Sequence, residues 1–475
     1  MVSALHWLTV SEIARAFAAR QLSPVDLVQA LLVRIEALDP QINAFIRVDA
    51  EGALEAARLA EKDIMAGRTR GPLHGVPVGI KDNIDIAGVP TTCHSKIMLD
   101  NVPQQDAVVV RHLRAAGAIL LGKVALHEFG FGGPTFDGPF PPARNPWNTD
   151  HHPAGSSSGS GAALAAGFVP LTLGTDTAGS IRNPAGVCGA VGLKPTNDLL
   201  STRGVFPLAY SLDQVGPLAR SVADIALALN VLTGEESGHP QMDSDPRRYA
   251  ADLERGARGL RIGFVRHFHE TDMVADLEVS AAVEDVARVL QREGAVVSDV
   301  TLPSLQQMQA VTSTIWLAEA WRIHAQWLRE RPEDYTAASR RKLLAGAFLS
   351  AEDYVRALQA RTMMIDAVNA VFRDVDILLT ASSFDTTCRI DDQTTYVRNY
   401  PRQARSPFSA TGHPAIGMTC GMCKKGLPLS VQFVGRIHDE VTLLRAAAAY
   451  ERATPWHKNK PPLDEKVRAP ATQPR

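Results

Sequence analysis

The chain has 475 residues, 45% hydrophobic and 21% charged, the balance of a soluble folded protein and not of a disordered or fibrous one. Its 49 Lys and Arg against 51 Asp and Glu give a net charge of −2, too near neutral for a field that would gather nucleic acid or anionic lipid, so a small neutral substrate is expected. No apolar run reaches the roughly 18 residues of a membrane span, and MVSALHWLTVSEIARAF lacks the basic start and small-residue cleavage site of a secretory signal, which predicts a cytoplasmic protein.

From Thr9 to Leu38 apolar residues recur at helical spacing (Ile13, Phe17, Val25, Leu27, Val28, Leu31, Leu32, Ile35), with Ser11 and Ser23 placed as caps and Pro24 in a first turn. Two helices are predicted there. From about Gly71 to Gly234 the apolar runs VPVGI, AILLGKV and FVPLTLG alternate with helical stretches such as DAVVVRHLRAAG, which predicts an α/β sheet with helices on its faces. Glu235 to Gly256 is polar and reads as a surface connection. Beyond it GLRIGFVR and AVVSDVTL read as strands around the helix VSAAVEDVARVLQREG, and long helical patterns run from Ser304 to Arg329 and from Ala351 to Phe372. VDILLTAS, HPAIGMTCG and LPLSVQFVGR read as buried strands, the last two as a late hairpin, leading into the helix DEVTLLRAAAAYERAT, and the tail from Lys458 to Arg475 reads as frayed.

Five cysteines, Cys93, Cys188, Cys388, Cys420 and Cys423, form too odd and sparse a set for a disulfide framework. Cys420 and Cys423 make a lone CxxC without a second pair and read as thiols of a core or turn, so neither metal nor cofactor is expected.

The densest chemical signal is PAGSSSGSGAALAAGFVPLTLGTDTAGSIRNPAGVCGAVGLKPT, Pro153 to Thr196: a serine- and glycine-rich turn, a helix of small residues, a strand, and a second turn ending in Ser180. Glycines let backbone approach a ligand, and small helix residues let a helix sit close to its neighbours. Such a turn also suits phosphate, although neither a GK[ST] ending nor a GxGxxG fingerprint is present. Residue types alone leave phosphate binding, loop filling and catalysis open, because a serine nucleophile needs a base and there is no GxSxG elbow. A base is offered by Lys81, which follows the apolar strand VPVGI, where poor solvation would favour its neutral amine.

These three blocks together, GVPVGIKDN, GSSSGS and GTDTAGSIRNPAGVCGAVGLKPT, resemble the amidase signature family. The similarity continues through RGVFPLAYSLDQVGPLARSVADIA and returns in SPFSATGHPAIGMTCG and LPLSVQFVGRIHDEVTLLRAAAAYE. It implies one domain over 1–475, with N-terminal helices to 65, a signature core over 66–234, a variable helical and lid region over 235–403, closing strands and a helix over 404–457, and a tail over 458–475. The implied fold is a central mixed, mostly parallel β-sheet covered by α-helices on both sides. By position, the family's Ser-cisSer-Lys triad falls on Ser180 as nucleophile, Ser156 as bridging serine and Lys81 as base, with the Gly155–Ser156 peptide cis. The oxyanion would rest on the backbone N–H groups of Thr177, Ala178, Gly179 and Ser180, and Asp176 with Arg182 would brace the nucleophile's loop. The sequence departs from the commoner pattern at Ala178, Ala154 and Ser158, and Ala178 matters only if its turn needs positive φ. His151 and His152 precede the serine loop but are not catalytic in the family.

Substrate-binding candidates are Phe129, Phe131, Phe136 and Phe140 in HEFGFGGPTFDGPFPPARNPWN, with Gly155 and with Tyr210 of VFPLAYS as another wall. Phenylalanine and proline without charged anchors point to small uncharged amides, anilides, carbamates or aryl esters, hydrolysed by a monomer or homodimer. The alternative is the glutamine-hydrolysing A subunit of a tRNA-dependent amidotransferase.

Overall fold

The computed structural model describes residues 2–233 and 248–463. Most of the connection expected over 235–256, and the tail from 464, lie outside them. Eleven strands among the described residues form one sheet: β1 (Phe45–Val48), β2 (Pro77–Lys81), β3 (Ile119–Val124), β4 (Leu171–Asp176), β5 (Val191–Lys194), β6 (Gln214–Ala219), β7 (Arg261–Phe264), β8 (Val296–Asp299), β9 (Ile377–Ala381), β10 (Ala415–Met422) and β11 (Pro428–Gly435). Their order is β1-β3-β2-β4-β6-β5-β10-β11-β9-β7-β8.

The sheet is mixed, as expected, but its parallel pairs are confined to two flanks. β3-β2-β4 run parallel at one end and β9-β7-β8 at the other, while the middle is joined by antiparallel pairs that include the hairpin β10-β11. The mostly parallel weighting therefore holds for the flanks only. Strands β2, β4, β6 and β11 are buried along their whole length, because helices cover both faces, and polar residues such as Thr172, Ser430 and Gln432 are buried with the apolar ones. On one face Ile80, Leu171 and Leu173 share an apolar cluster with Val109, Val110 and Leu113 of the helix Val108–Ala115; on the other Leu218 shares one with Ala162, Ala163 and Leu164.

The two opening helices form as Val10–Ala18 and Pro24–Ile42, with Pro24 in the first turn. Ser23 caps the second. Thr9, not Ser11, caps the first, because Thr9 and Glu12 exchange hydrogen bonds in a capping box while the Ser11 hydroxyl donates to Asp224 Oδ1 at 2.9 Å. The expected helices beyond the connection are Leu277–Arg292, Leu305–Glu330, Ala351–Val371 and Glu440–Ala453. No helix among the described residues is long and apolar enough to cross a membrane.

Two features of this sheet position a site. β2 and β4 are parallel neighbours with Ile80 beside Leu173, so their C-terminal ends place Lys81 next to Thr175. Such strand ends are where open α/β sheets bind ligands. The helix Ser158–Ala165, every residue of it buried, begins just after Ser156. Its small residues are required, since a Cβ on Gly159 would collide with the Ala125 nitrogen and the Ala44 oxygen.

Candidate active site

Lys81 is fully buried at the end of β2. Its Nζ lies 2.9 Å from Ser156 Oγ and 2.6 Å from Thr175 Oγ1, and Asn83 Nδ2 donates to the same threonine hydroxyl at 3.2 Å. Burial pushes the ammonium down to about 7, against the opposing pull of Asp176 and Asp213. The shift favours the free amine near neutral pH, which can accept a proton from Ser156 while donating to Thr175.

Ser156 is held from three sides. The Gly155–Ser156 peptide is cis. The Ser156 carbonyl accepts the His127 N–H at 2.9 Å, and the Gly155 carbonyl accepts the Tyr400 hydroxyl at 2.7 Å. Ala154, one of the departures from the commoner family pattern, takes φ 59°, a left-handed conformation glycine would adopt with less strain.

The turn from Thr177 to Ser180 links β4 to the helix Arg182–Val187 and is tied back to the serine loop by the Ser157 N–H on the Ser180 carbonyl at 3.2 Å. Gly179, not Ala178, is the left-handed residue, at φ 120°, so alanine at 178 costs the turn nothing. A Cβ on Gly179 would lie 2.5 Å from Arg405 Nε. One of the four expected oxyanion donors is corrected: the Gly179 N–H is already given to Asp176 Oδ1 at 2.6 Å, which leaves Thr177, Ala178 and Ser180. Asp176 and Arg182 form a fully buried pair at 2.8 Å. Burial alone would raise the Asp176 carboxyl, but the Arg182 charge and hydrogen bonds hold it well below the usual range. Arg182 also donates to the Arg405 carbonyl at 2.8 Å, Gln432 Oε1 at 2.6 Å and Ser409 Oγ at 2.7 Å, joining the turn to the closing strands.

Ser180, with Thr177, Ala178 and Gly179, borders a cavity of about 290 Å³. Of the phenylalanines expected around it, only Phe131 is there, edge-on to Trp316 at 4.6 Å. Phe129 instead fills a buried aromatic cluster, 5.2 Å from Phe206 and 4.5 Å from His324. Phe140 packs edge-on against His94 at 5.4 Å, away from the cavity. Phe136 is 58% exposed and Tyr210 73%, and neither borders the cavity, where Leu208 supplies the wall instead. Gly155 is buried beneath the His127 ring. A run of aromatics in a loop says nothing about which faces inward, and here Phe129 turns to the core, Phe131 to the cavity and Phe136 to solvent, while Phe140 is half-buried.

The cavity also holds polar groups that the sequence did not announce: Lys342, Arg405, Tyr400, Gln403 and Gln309. Lys342 Nζ donates to the carbonyls of Phe131 at 3.2 Å and Gly132 at 2.5 Å, and burial, then Arg341, pushes it down to about 8. Arg405 Nη1 donates to Ser383 Oγ at 2.6 Å, its Nε is buried without a hydrogen-bond partner, and burial lowers it to about 10. Among the described residues neither cation has a carboxylate within ion-pairing distance. Lys342 lies in the helix Ala337–Leu344, whose cap Thr336 gives its N–H and hydroxyl to Glu128 Oε2 at 2.9 and 2.6 Å, while Ser95 holds Glu128 Oε1 at 2.6 Å. Nothing in AASRRKLL marks one cation of three as the inward one. Arg405 had a signal: it precedes SPFSATG, one of the blocks that carry the family resemblance.

All five cysteines are free thiols. One trio among the described residues, His269, Glu270 and Glu284, is close enough to share a cation, but Arg266 already pairs with both carboxylates.

With this geometry in view, the likeness to known proteins is specific. The Amidase family model matches residues 26–444. A relative from Chloroflexus aggregans, the A subunit of its glutamyl-tRNA(Gln) amidotransferase, is 38% identical over 97% of this chain and 99% of its own. Among solved structures, the peptide amidase of Stenotrophomonas maltophilia has TM-score 0.83 and 30% identity, covering 94% of this chain and 96% of its own. A bacterial aryl acylamidase has TM-score 0.85 and 27% identity, covering 99% and 100%. The match spans the lysine strand, both serine turns and the closing strands, and the chain belongs to the amidase signature family.

Proposed function

We propose that this chain hydrolyses the carbon–nitrogen bond of a small amide that carries a carboxylate, with glutamine as the leading substrate and ammonia as the product. The reading is carried by one observation, the two cations Lys342 and Arg405 on the cavity that Ser180 borders, neither with a carboxylate among the described residues within ion-pairing distance. An anionic substrate group offers the missing partner, and charge-assisted hydrogen bonds are the strong ones. The uncharged, aryl-bearing substrate expected from the phenylalanine loop loses its basis, because Phe129, Phe136 and Phe140 face elsewhere. The name of the Chloroflexus aggregans relative agrees with the glutamine reading, and as part of an amidotransferase the chain would work beside a tRNA-binding partner. The expectation of no nucleic acid therefore applies to this chain's own surface and not to an assembly.

In the reaction the neutral amine of Lys81 accepts the Ser156 proton, and Ser156 takes the proton of Ser180 as its oxygen attacks the carbonyl. The tetrahedral oxyanion rests on the free N–H groups of Thr177, Ala178 and Ser180; one such donor is typically worth about 2.7 to 4 kcal/mol in the barrier. As the C–N bond breaks, Ser156 passes its proton to the leaving nitrogen. Water then enters along the same relay and releases the acid from Ser180.

A second reading, hydrolysis of an uncharged aryl amide, is favoured by the Phe131–Trp316 wall and the aryl acylamidase likeness. Ammonia release from glutamine and acetamide, set beside aniline release from an anilide, by the purified chain separates the two. In Lys342→Ala the KM for glutamine should rise roughly 10- to 100-fold, the worth of one charged hydrogen bond, with acetamide unchanged. Equal effects on both substrates would remove the carboxylate from the proposal.

A further inference from the structure

His127 has a surplus of unexplained chemistry. It borders the same cavity as Ser180 and is only 5% exposed. Its buried Nε2 has no hydrogen-bond partner among the described residues. Its backbone N–H fixes the Ser156 carbonyl at 2.9 Å, and its ring occupies the space beside Gly155, where a Cβ would collide with Cε1. Tyr400 and Tyr396 approach the ring at 6.2 and 6.4 Å. The same chain segment keeps close to the bridging serine, since a Cβ on Gly130 would lie 3.5 Å from Ser156 Oγ. Burial, then the cations Lys342 and Lys81 and the neighbouring His152, hold the imidazole neutral. A neutral imidazole has one nitrogen that can only accept.

We propose that His127 accepts a hydrogen bond from the N–H of the scissile amide and thereby selects nitrogen over oxygen leaving groups. The inference rests on the acyl-enzyme reading above. Ser156 must deliver its proton to the nitrogen lone pair, and a hydrogen bond from the far side of the same nitrogen holds that lone pair towards Ser156. The bonds made and broken are those of acyl transfer: the Ser180 oxygen bonds to carbon, the C–N bond breaks, the nitrogen leaves with the proton from Ser156, and His127 stays neutral throughout. An ester oxygen has no hydrogen to offer, so an ester with the same acyl group gains nothing from His127. Sites built to hydrogen-bond a substrate N–H discriminate strongly against analogues that lack it.

The test compares L-glutamine with the γ-methyl ester of L-glutamate, which share one acyl group, in the wild-type chain, in His127→Phe and in His127→Asn. Phenylalanine keeps the ring beside Gly155 but removes its nitrogens, and asparagine restores an acceptor. In His127→Phe the amide-to-ester ratio of kcat/KM should fall about 10- to 100-fold, the cost of one hydrogen-bond partner left unsatisfied. Ester turnover and the rate of Ser180 labelling by a fluorophosphonate should fall less than amide turnover, and the Tm should stay close to wild type. His127→Asn should recover part of the lost ratio. If amide and ester fall together, or the ratio does not move, His127 is a packing residue and the inference is overturned. Absence of Ser180 labelling in the wild-type chain would overturn the acyl-enzyme reading itself, and the inference with it.

Discussion

The core that carries the two serines and the helical region that completes its cavity are held in different ways. Around Ser180 the ties are buried, charged and many: the Asp176–Arg182 pair, the bonds from Arg182 to Arg405, Gln432 and Ser409, and the bond from Thr177 to Asp213 at 2.5 Å. The helical region is tied at scattered points of mixed burial: Glu128 to Thr336 at 2.6 Å is buried, whereas Ser211 to Glu319 at 2.6 Å and Arg361 to the Ala410 carbonyl at 2.6 Å are partly solvated. It leaves Phe348 and Met363 in solvent. A relay needs atoms fixed to within fractions of an ångström, whereas a pocket wall needs only the right charge and shape. On the function proposed above, the contrast assigns reaction type to the core, and substrate choice to the closing helices together with Arg405, which the core holds.

The largest break in that contrast should come from the core. Ser180→Ala is expected to lower kcat by on the order of 10⁶-fold in an ammonia-release assay, with Ser156→Ala and Lys81→Ala each leaving a trace, as residues acting as one unit do. A Ser180→Ala enzyme with a tenth of its activity would remove the nucleophile.

Asp176→Asn should cost stability as well as activity. Removing one partner of a buried pair leaves Arg182 uncompensated, and about 3 to 5 kcal/mol should be lost in denaturant unfolding. If the midpoint hardly moves, the core is not held by its charges in the way described.

The pH profile sharpens the comparison, because each region contributes one titrating cation. Lys81 must be neutral, so kcat/KM should rise with pH through about 7, roughly tenfold per unit below it. Lys342 must be charged to bind a carboxylate, so for glutamine the profile should fall again above about 8. For acetamide it should stay level on the alkaline side. A flat glutamine profile from about pH 6 to 9 in a chemistry-limited assay would count against both assignments.

The smallest effect belongs to the exposed aromatics. Phe136→Ala and Tyr210→Ala should leave KM for glutamine, acetamide and an anilide within about twofold, since surface substitutions away from packed features usually change little. A selective rise for the anilide would return the phenylalanine loop to the pocket.

The sequence by itself determined the parts whose meaning is local. Strand-length apolar runs appeared as β2, β4, β9 and β11, the glycine- and serine-rich turns appeared where the family's blocks lie, and Lys81 came out buried because the apolar run VPVGI delivers it to a strand end between two helical layers. Of the antiparallel middle of the sheet only the hairpin of HPAIGMTCG and LPLSVQFVG was legible; the rest was not, because a strand buried on both faces reads the same whichever way its neighbour runs. Nor was the left-handed turn residue, which proved to be Gly179 and not Ala178. Only the tertiary structure decided the cavity. Lys342 and Arg405 are distant from Ser180 along the chain, and their inward placement follows from the Glu128–Thr336 and Arg182–Arg405 ties. Side-chain direction within PTFDGPF follows from what the loop packs against, since a loop lacks the fixed period that tells inside from outside along a helix or strand.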